Sequence, residues 1–434
     1  MGNAVEWFDY SIFSFLAVTL GAVFFPGDPS SQVLATFGTF AAALAVRPLG
    51  GVVFGSLGDR IGRQKVLAAT MLLMAAGSFA IGLLPSYATF GVGASILLLV
   101  ARLVQGFSTG GEYGGAMTFV AEHAPDKERG LRASWLEFGT LTGFVMGSGL
   151  VVALTVLLPP PDLLSWGWRI PFLVGGPLGL IGLYLRFKLG ETPAFEQSAD
   201  SGEEEEEEGG RGIKAQLRET IVGQARPLLV CVGLVVVFNV TDYMLLAYMP
   251  TYLTENLGFD MTTGLLLVMV VMVLMMGLTL FVGRLSDRIG RRRIVLSGCL
   301  GFLVLSLPCF LLIQQRTTGA IFAGLLALGL VLVCFTGTMP AALPALFPTR
   351  VRYGALSIGF NVSVALFGGT TPLIVAALIT ATGSTLMPAV YLMFGAAVGA
   401  VAAYFMRETA GRSLKGSTPT VASEEEARQI AGEA

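Results

Sequence analysis

Gly55-Ser-Leu-Gly58-Asp59-Arg60-Ile-Gly62-Arg63 and Gly283-Arg-Leu-Ser-Asp287-Arg288-Ile-Gly290-Arg291 are two copies of one short motif. They stand 287 − 59 = 228 positions apart, about half of the 434-residue chain. Each copy ends one apolar run and begins another. A soluble domain has little reason to place Asp-Arg-x-Gly-Arg between two long hydrophobic segments, twice. A membrane protein built from two related halves has a good one.

Composition agrees. The chain is 54% hydrophobic and only 13% charged, with mean hydropathy +0.74, against roughly 25% charged in soluble domains. Apolar stretches of about 20 residues, the length of a bilayer-crossing helix, recur from end to end. They are continuously apolar rather than alternating, which favours helices over a barrel. The 56 glycines suit close helix packing in lipid. Cys231, Cys299, Cys309 and Cys334 all fall in apolar runs, where they read as small hydrophobes rather than disulfides or metal ligands. No basic segment precedes the first apolar run, so no cleavable signal peptide is expected.

Twelve spans meet the length criterion: 3–25, 31–57, 64–84, 91–121, 133–158 and 168–188, then 226–251, 261–285, 293–314, 319–346, 354–381 and 386–406. Alternate loops collect the Lys and Arg residues, among them Arg60, Arg63, Lys127, Arg132, Arg288, Arg291 and Arg352. The opposite loops hold only Arg169 and Arg316. The positive-inside rule then puts both termini and the middle loop in the cytoplasm. Four regions are expected: a six-helix bundle 1–189, a cytoplasmic loop 190–225, a second bundle 226–407 and a tail 408–434. The loop carries six consecutive glutamates, Glu203–Glu208, too charged to bury a core. The tail is too short for a sustained heptad repeat.

The duplicated loop motif, with Leu98-x-x-x-Arg102-x-x-Gln105-Gly106, resembles the signature of the major facilitator superfamily. Arg47-Pro48-Leu-Gly50-Gly51, Gly111-Glu112-Tyr113, Trp166-Gly-Trp168-Arg169-Ile-Pro171 and Glu191-Thr-Pro193 are similar to its metabolite:proton symporter branch. Asn239-Val-Thr-Asp242-Tyr243 and Glu408-Thr409-Ala-Gly-Arg-Ser-Leu resemble the proline and glycine betaine subgroup of that branch. The resemblance implies an all-α membrane fold of two pseudo-symmetric six-helix bundles. It also implies proton-coupled uptake of a small zwitterionic osmolyte by alternating access, in a multi-pass protein of the cell membrane. The driving force would be the proton gradient, with no cofactor, no metal and no nucleic acid, and a monomer would suffice. Osmosensing members of the subgroup extend into a C-terminal coiled coil that this sequence does not contain.

Charges inside a bilayer are costly and face a cavity or a partner. Few residues qualify. Asn3, Glu6, Asp9, Tyr10 and Phe13 share one face of the first span, and Arg102, Gln105, Thr109, Glu112 and Tyr113 one face of the fourth. In the fold implied, these faces line the central cavity. Glu112 or Asp9, with Glu6 nearby, is then the candidate proton-coupling carboxylate, and Arg47 or Arg102 its charge partner. Static pairs that hold helices together are the plainer alternative. Glu137 reads as an acid near the start of a helix, favoured there by the helix dipole; Asp242 fits either role. Tyr10, Trp135, Phe138, Tyr243 and Phe335 are candidates to wrap an ammonium group, and Asn239 or Arg102 to meet a carboxylate. The motif residues Gly55, Asp59, Arg60, Gly62, Arg63, Asp287, Arg288, Gly290 and Arg291 are expected to gate the cytoplasmic face through helix capping and ion pairing. His123 reads as a helix-end residue. The alternatives are a symporter for α-ketoglutarate, citrate or shikimate, and a non-transporting membrane sensor. No nucleophile–base set or phosphate loop points to an enzyme.

Overall fold

The computed structural model describes residues 2–61, 63–110, 112–188, 223–414, 416, 420 and 421, apart from the side chains of 2, 55, 56, 58–65, 67, 185–188 and 350. The expected central loop, with its glutamate run, lies almost entirely outside the described residues, as does the end of the tail.

All regular structure among the described residues is helical, most of it within the twelve expected spans, with short helical turns at Tyr87–Phe90 and at Pro160–Asp162 and Leu163–Gly167 in the loops between them. Nine spans are long and apolar enough to cross a membrane unaided, and a tenth is a pair bent by 65°. The other two, spans 3 and 6, contain the shorter apolar helices Ala68–Leu83 and Arg169–Tyr184. Sequence signals set several ends. Asp28 and Asp260 accept the backbone N–H of Ser31 and Thr263, capping spans 2 and 8. Gly383, left-handed at φ +68°, ends span 11. Arg169 donates to the carbonyls of Gly82 and Leu84 at the end of span 3.

Several spans are broken near mid-depth, where the sequence suggests continuity. Span 1 is Gly2–Phe15 and Ala17–Phe24. Span 2 is interrupted at Val46, before Arg47-Pro48, because a proline ring disfavours helical geometry in the preceding turn. Span 4 is Val92–Ser108 and Glu112–His123. Span 7, Ala225–Asp242, runs into a π-helical turn at Tyr243–Tyr248. Span 11, Thr349–Ser363, does the same at Val364–Gly368. Such turns often sit at functional positions.

Span 5 (Arg129–Leu157) packs between span 1 and span 8 (Met261–Ile289), and spans 2 and 11 form a second seam between the halves. At the motif, spans 5 and 8 meet backbone to backbone. A Cβ on Gly283 would lie 2.8 Å from the Gly130 carbonyl oxygen, and one on Gly130 would lie 2.4 Å from that of Gly283. Span 5 starts four residues earlier than the hydropathy suggests. Glu137 is therefore two turns inside the helix and 1% exposed. A helix dipole fades within the first turn, so it does not account for this acid.

Candidate functional site

Span 1 places Glu6, Asp9 and Tyr10 at the centre of the molecule, all buried. Arg47 begins the second segment of span 2. Its guanidinium donates to Glu6 Oε1 at 3.0 Å and to the Thr109 carbonyl at 3.3 Å. The break in span 4 leaves that carbonyl available. Spans 2 and 4 can come this close because a Cβ on Gly106 would fall 1.7 Å from the Ala43 carbonyl oxygen. Only glycine fits there.

A second network starts at Arg102 on span 4. Arg102 Nη1 donates to Gln105 Oε1 at 2.9 Å, and Gln105 Nε2 donates to Ser78 Oγ at 2.6 Å. Ser78 in turn donates to Asp9 Oδ2. Every donor points from the cation toward the carboxylate. The rest of the Arg102 head lies among rings, with its central carbon 4.0 Å from the Phe13 centroid, 5.3 Å from Tyr10 and 5.4 Å from Phe40. Arg102 Nε and Nη2 and Asp9 Oδ1 have no hydrogen-bond partner among the described residues.

Glu112 opens the second segment of span 4 and accepts from Thr70 Oγ1 at 2.5 Å. It is half-buried, unlike Glu6 and Asp9. These three carboxylates line one small cavity with Met71, Met74 and Gly179. The structure thus brings these three carboxylates together at one cavity.

Trp7 is the hub of an aromatic cluster across the seam, with ring centroids 5.8 Å from Tyr10, 5.6 Å from Phe144 and 6.0 Å from Tyr243. Tyr243 also meets Phe40 at 6.0 Å. Tyr10, Tyr243 and Asn239 thus lie at the seam between the halves. Three other candidates do not. Trp135 is 55% exposed. Phe138 packs on Trp135 at 5.0 Å. Phe335 points at span 9, stacked on Phe302 at 6.0 Å. Aromatic identity and span number could not reveal which way these rings face. The hydrophobic face of span 5 would have flagged Trp135, since it shares a side with Arg132 and Met146.

The duplicated motif lies on the basic face. Asp287 accepts the backbone N–H of Gly130 at 2.8 Å and of Leu131 at 3.1 Å, capping span 5 from across the seam. Arg291 pairs with Asp287 at 3.0 Å. Gly290, at φ +103°, leaves room for Glu408, which accepts from the N–H groups of Arg291 and Arg292. Arg288 is exposed. Arg352 bonds Glu122 at 2.6 Å, again across the halves. Gly55, Asp59, Arg60 and Arg63 are helical, but the contacts of their side chains, and Gly62 entirely, lie outside the described residues. His123 is an exposed helix-end residue whose Nδ1 meets the Phe119 carbonyl, as expected.

Sequence reading missed Ser78, the link between Asp9 and Gln105, and the aromatics Phe40 and Phe144. Ser78 had a signal, as one of two hydroxyl residues, with Thr70, in the otherwise apolar run 66–83.

The comparisons with known proteins agree with this architecture. The family described as "Sugar (and other) transporter" matches residues 1–419. The proline/betaine transporter of Escherichia coli K12 is 50% identical over 432 residues, covering 99% of this chain and 86% of that protein. The glycine betaine/proline/ectoine/pipecolic acid transporter OusA of Dickeya dadantii is 48% identical, covering 99% and 86%. Among solved structures, the major facilitator superfamily proton:xylose symporter XylE bound to 6-bromo-6-deoxy-D-glucose superposes with TM-score 0.73 at 19% identity, covering 95% of each chain. Two related halves, a duplicated loop motif and a charged interior between them fit the fold of the major facilitator superfamily symporter it superposes on, and the chain belongs to the sugar (and other) transporter family.

Proposed function

We propose that the chain carries a small zwitterionic osmolyte, such as proline or glycine betaine, inward with protons by alternating access. The basic face would be cytoplasmic, with both termini there, and the proton gradient would be the only energy source. Residues 1–189 and 226–407 would be the rocking bundles, joined by 190–225 and followed by the tail 408–434. The relatives' names supply the substrate class. The observation that carries the mechanism is the oriented chain from Arg102 through Gln105 and Ser78 to Asp9.

This chain favours Asp9 over Glu112 as the coupling carboxylate. Glu6 is committed to Arg47, and Glu112 lies nearer the edge. While Asp9 is ionised, it draws on Arg102 through two polar links. A proton on Asp9 Oδ1, the oxygen without a partner, removes that draw. Arg102 then offers its unpaired N–H groups to the substrate carboxylate. Proton and substrate therefore help each other bind, which is the thermodynamic requirement of symport. A carboxylate that must be loaded and emptied in each cycle needs an interior shielded from water, which the surrounding rings provide. Pairing with Glu6 neutralises Arg47, which disfavours the dicarboxylate alternative, since a doubly charged ligand needs more than one uncommitted cation.

The test is uptake of labelled glycine betaine and proline into proteoliposomes with and without an inward proton gradient. Gradient-dependent accumulation is expected. Asp9→Asn should abolish it while leaving counterflow exchange. Uptake of α-ketoglutarate, citrate or shikimate instead would overturn the assignment, and full uphill accumulation by Asp9→Asn would overturn the role of Asp9.

A further inference from the structure

Four buried polar atoms without hydrogen-bond partners among the described residues lie around the seam between spans 5 and 7: Glu137 Oε1, Asn239 Nδ2, Asp242 Oδ1 and Tyr243 Oη. Folded interiors leave few such atoms, and a cluster of them asks for an explanation, of which a bound polar group is one. Asn239, Asp242 and Tyr243 are spaced i, i+3, i+4 and share one helix face. Asn239 and Tyr243 converge on Gly368 of span 11, where a Cβ would lie 3.0 Å from the Tyr243 ring and 3.4 Å from Asn239 Cγ.

Glu137 faces them from the other half. Asn3 donates to the Leu136 carbonyl and to Thr140 Oγ1, both at 2.9 Å, and accepts from Trp7 Nε1 at 3.1 Å. The Trp7 ring meets Tyr243. The turn of span 5 that carries Glu137 is thereby fixed beside Tyr243. Glu137 is within Coulombic reach of Asp242, and Tyr243 of both Asp242 and Arg47. Neither carboxylate has an ion-pair partner among the described residues. Two acids at 1% and 4% exposure are costly when both are ionised, unless a cation joins them.

The four atoms form a complementary set, two carboxylate acceptors and two neutral donors. We propose that Glu137 and Asp242 form an ammonium subsite that takes the two N–H donors of a protonated secondary amine, one on each carboxylate, while the amide of Asn239 and the phenol of Tyr243 join Arg102 in donating to the same molecule's carboxylate. The ligand class is the imino acids, and the inference rests on the zwitterion reading above. A quaternary ammonium has no N–H, so it gains only the charge and the aromatic faces of Trp7 and Tyr243. The subsite thus separates two osmolytes that carry the same net charge. Because its carboxylates sit on opposite halves, a bridging ammonium also holds the seam closed around the solute.

The test compares KM for proline and for glycine betaine in proteoliposomes at one fixed proton gradient, for the unaltered protein, Glu137→Gln and Asp242→Asn. Each substitution should raise KM for proline about tenfold and KM for glycine betaine about threefold or less, because only proline loses a charge-assisted hydrogen bond. Equal changes for both solutes, or no change, overturn the proposal. So does loss of gradient dependence with KM unmoved, which would make the pair a protonation site. If the amide variants do not fold, Glu137→Asp and Asp242→Glu replace them, and an unchanged ratio of the two KM values overturns the proposal. Unaltered protein that accumulates neither solute defeats the zwitterion reading itself, and this inference with it.

Discussion

Glu6 and Arg47, at 2% and 1% exposure, form an ion pair that burial makes expensive to disturb. Breaking a buried pair leaves one charge without a partner, at a cost of about 3–5 kcal/mol, whereas removing both partners costs much less. Arg47→Met should therefore lower the melting temperature of the purified protein sharply, and Glu6→Gln combined with Arg47→Met should recover most of the loss. A double variant as unstable as the sum of the two singles would show that the pair is not coupled. Glu6, Asp9, Arg47 and Arg102 could be picked out of the sequence because charges are rare in apolar spans, and helical spacing put Glu6 and Asp9 on one face. Their partners could not be. Ser78 and Thr109 are ordinary residues whose role depends on which span lies beside them, and helical periodicity within one span carries no information about its neighbours.

Span 9 begins with three arginines at the positive end of a helix dipole, an unfavourable arrangement left to itself. Glu408, arriving from beyond span 12, offsets it. Its carboxylate accepts from the backbone N–H groups of Arg291, Arg292, Thr409 and Ala410. Partial burial pushes this carboxyl up, but the four backbone donors outweigh it and hold it below its ordinary value of 4.5. A group depressed on folding stabilises the fold above its unfolded value, and that contribution fades as pH falls through the folded one. Melting temperature should thus fall on acidification below about pH 4.5, and Glu408→Ala should flatten this limb and cost about 1 kcal/mol at neutral pH. An unaltered acid limb in that variant would remove Glu408 from the account. The start of span 9 was readable from the motif, since Gly290 at positive φ marks the break. The anchoring of the tail to it was not, because 117 residues separate Arg291 from Glu408. The 65° bend in span 1 was equally hidden, as no proline or glycine marks Leu16.

On the scale of the whole molecule, the contacts that cross between the halves include a closed seam on the basic face. Asp287 of span 8 caps span 5 and Arg352 of span 11 bonds Glu122 of span 4, and deeper in the seam Asn361 donates to the Gly110 carbonyl at 2.6 Å. The tail adds a strap. Arg129 donates to the Arg412 carbonyl, and the Asp126 N–H to that of Thr420. The twelve spans and their duplication were legible because hydropathy and the repeated motif each encode them locally. Which helix end Asp287 would cap was not, because that choice is made by the meeting of Gly130 with Gly283 across the seam. Alternating access requires these contacts to break together, so weakening one shifts the population toward the state open on the basic face. Hydrogen bonds to a charged group contribute about 1.5–3 kcal/mol, so Asp287→Ala should raise that state roughly tenfold or more relative to the closed one. Spin labels at the exposed positions Arg132 and Arg293, one on each half, would report it as a longer-distance component that grows in the variant. A distance distribution identical to that of the labelled parent would mean that the Asp287 cap does not hold the gate, and that Arg352, Asn361 and the strap suffice to keep the basic face shut.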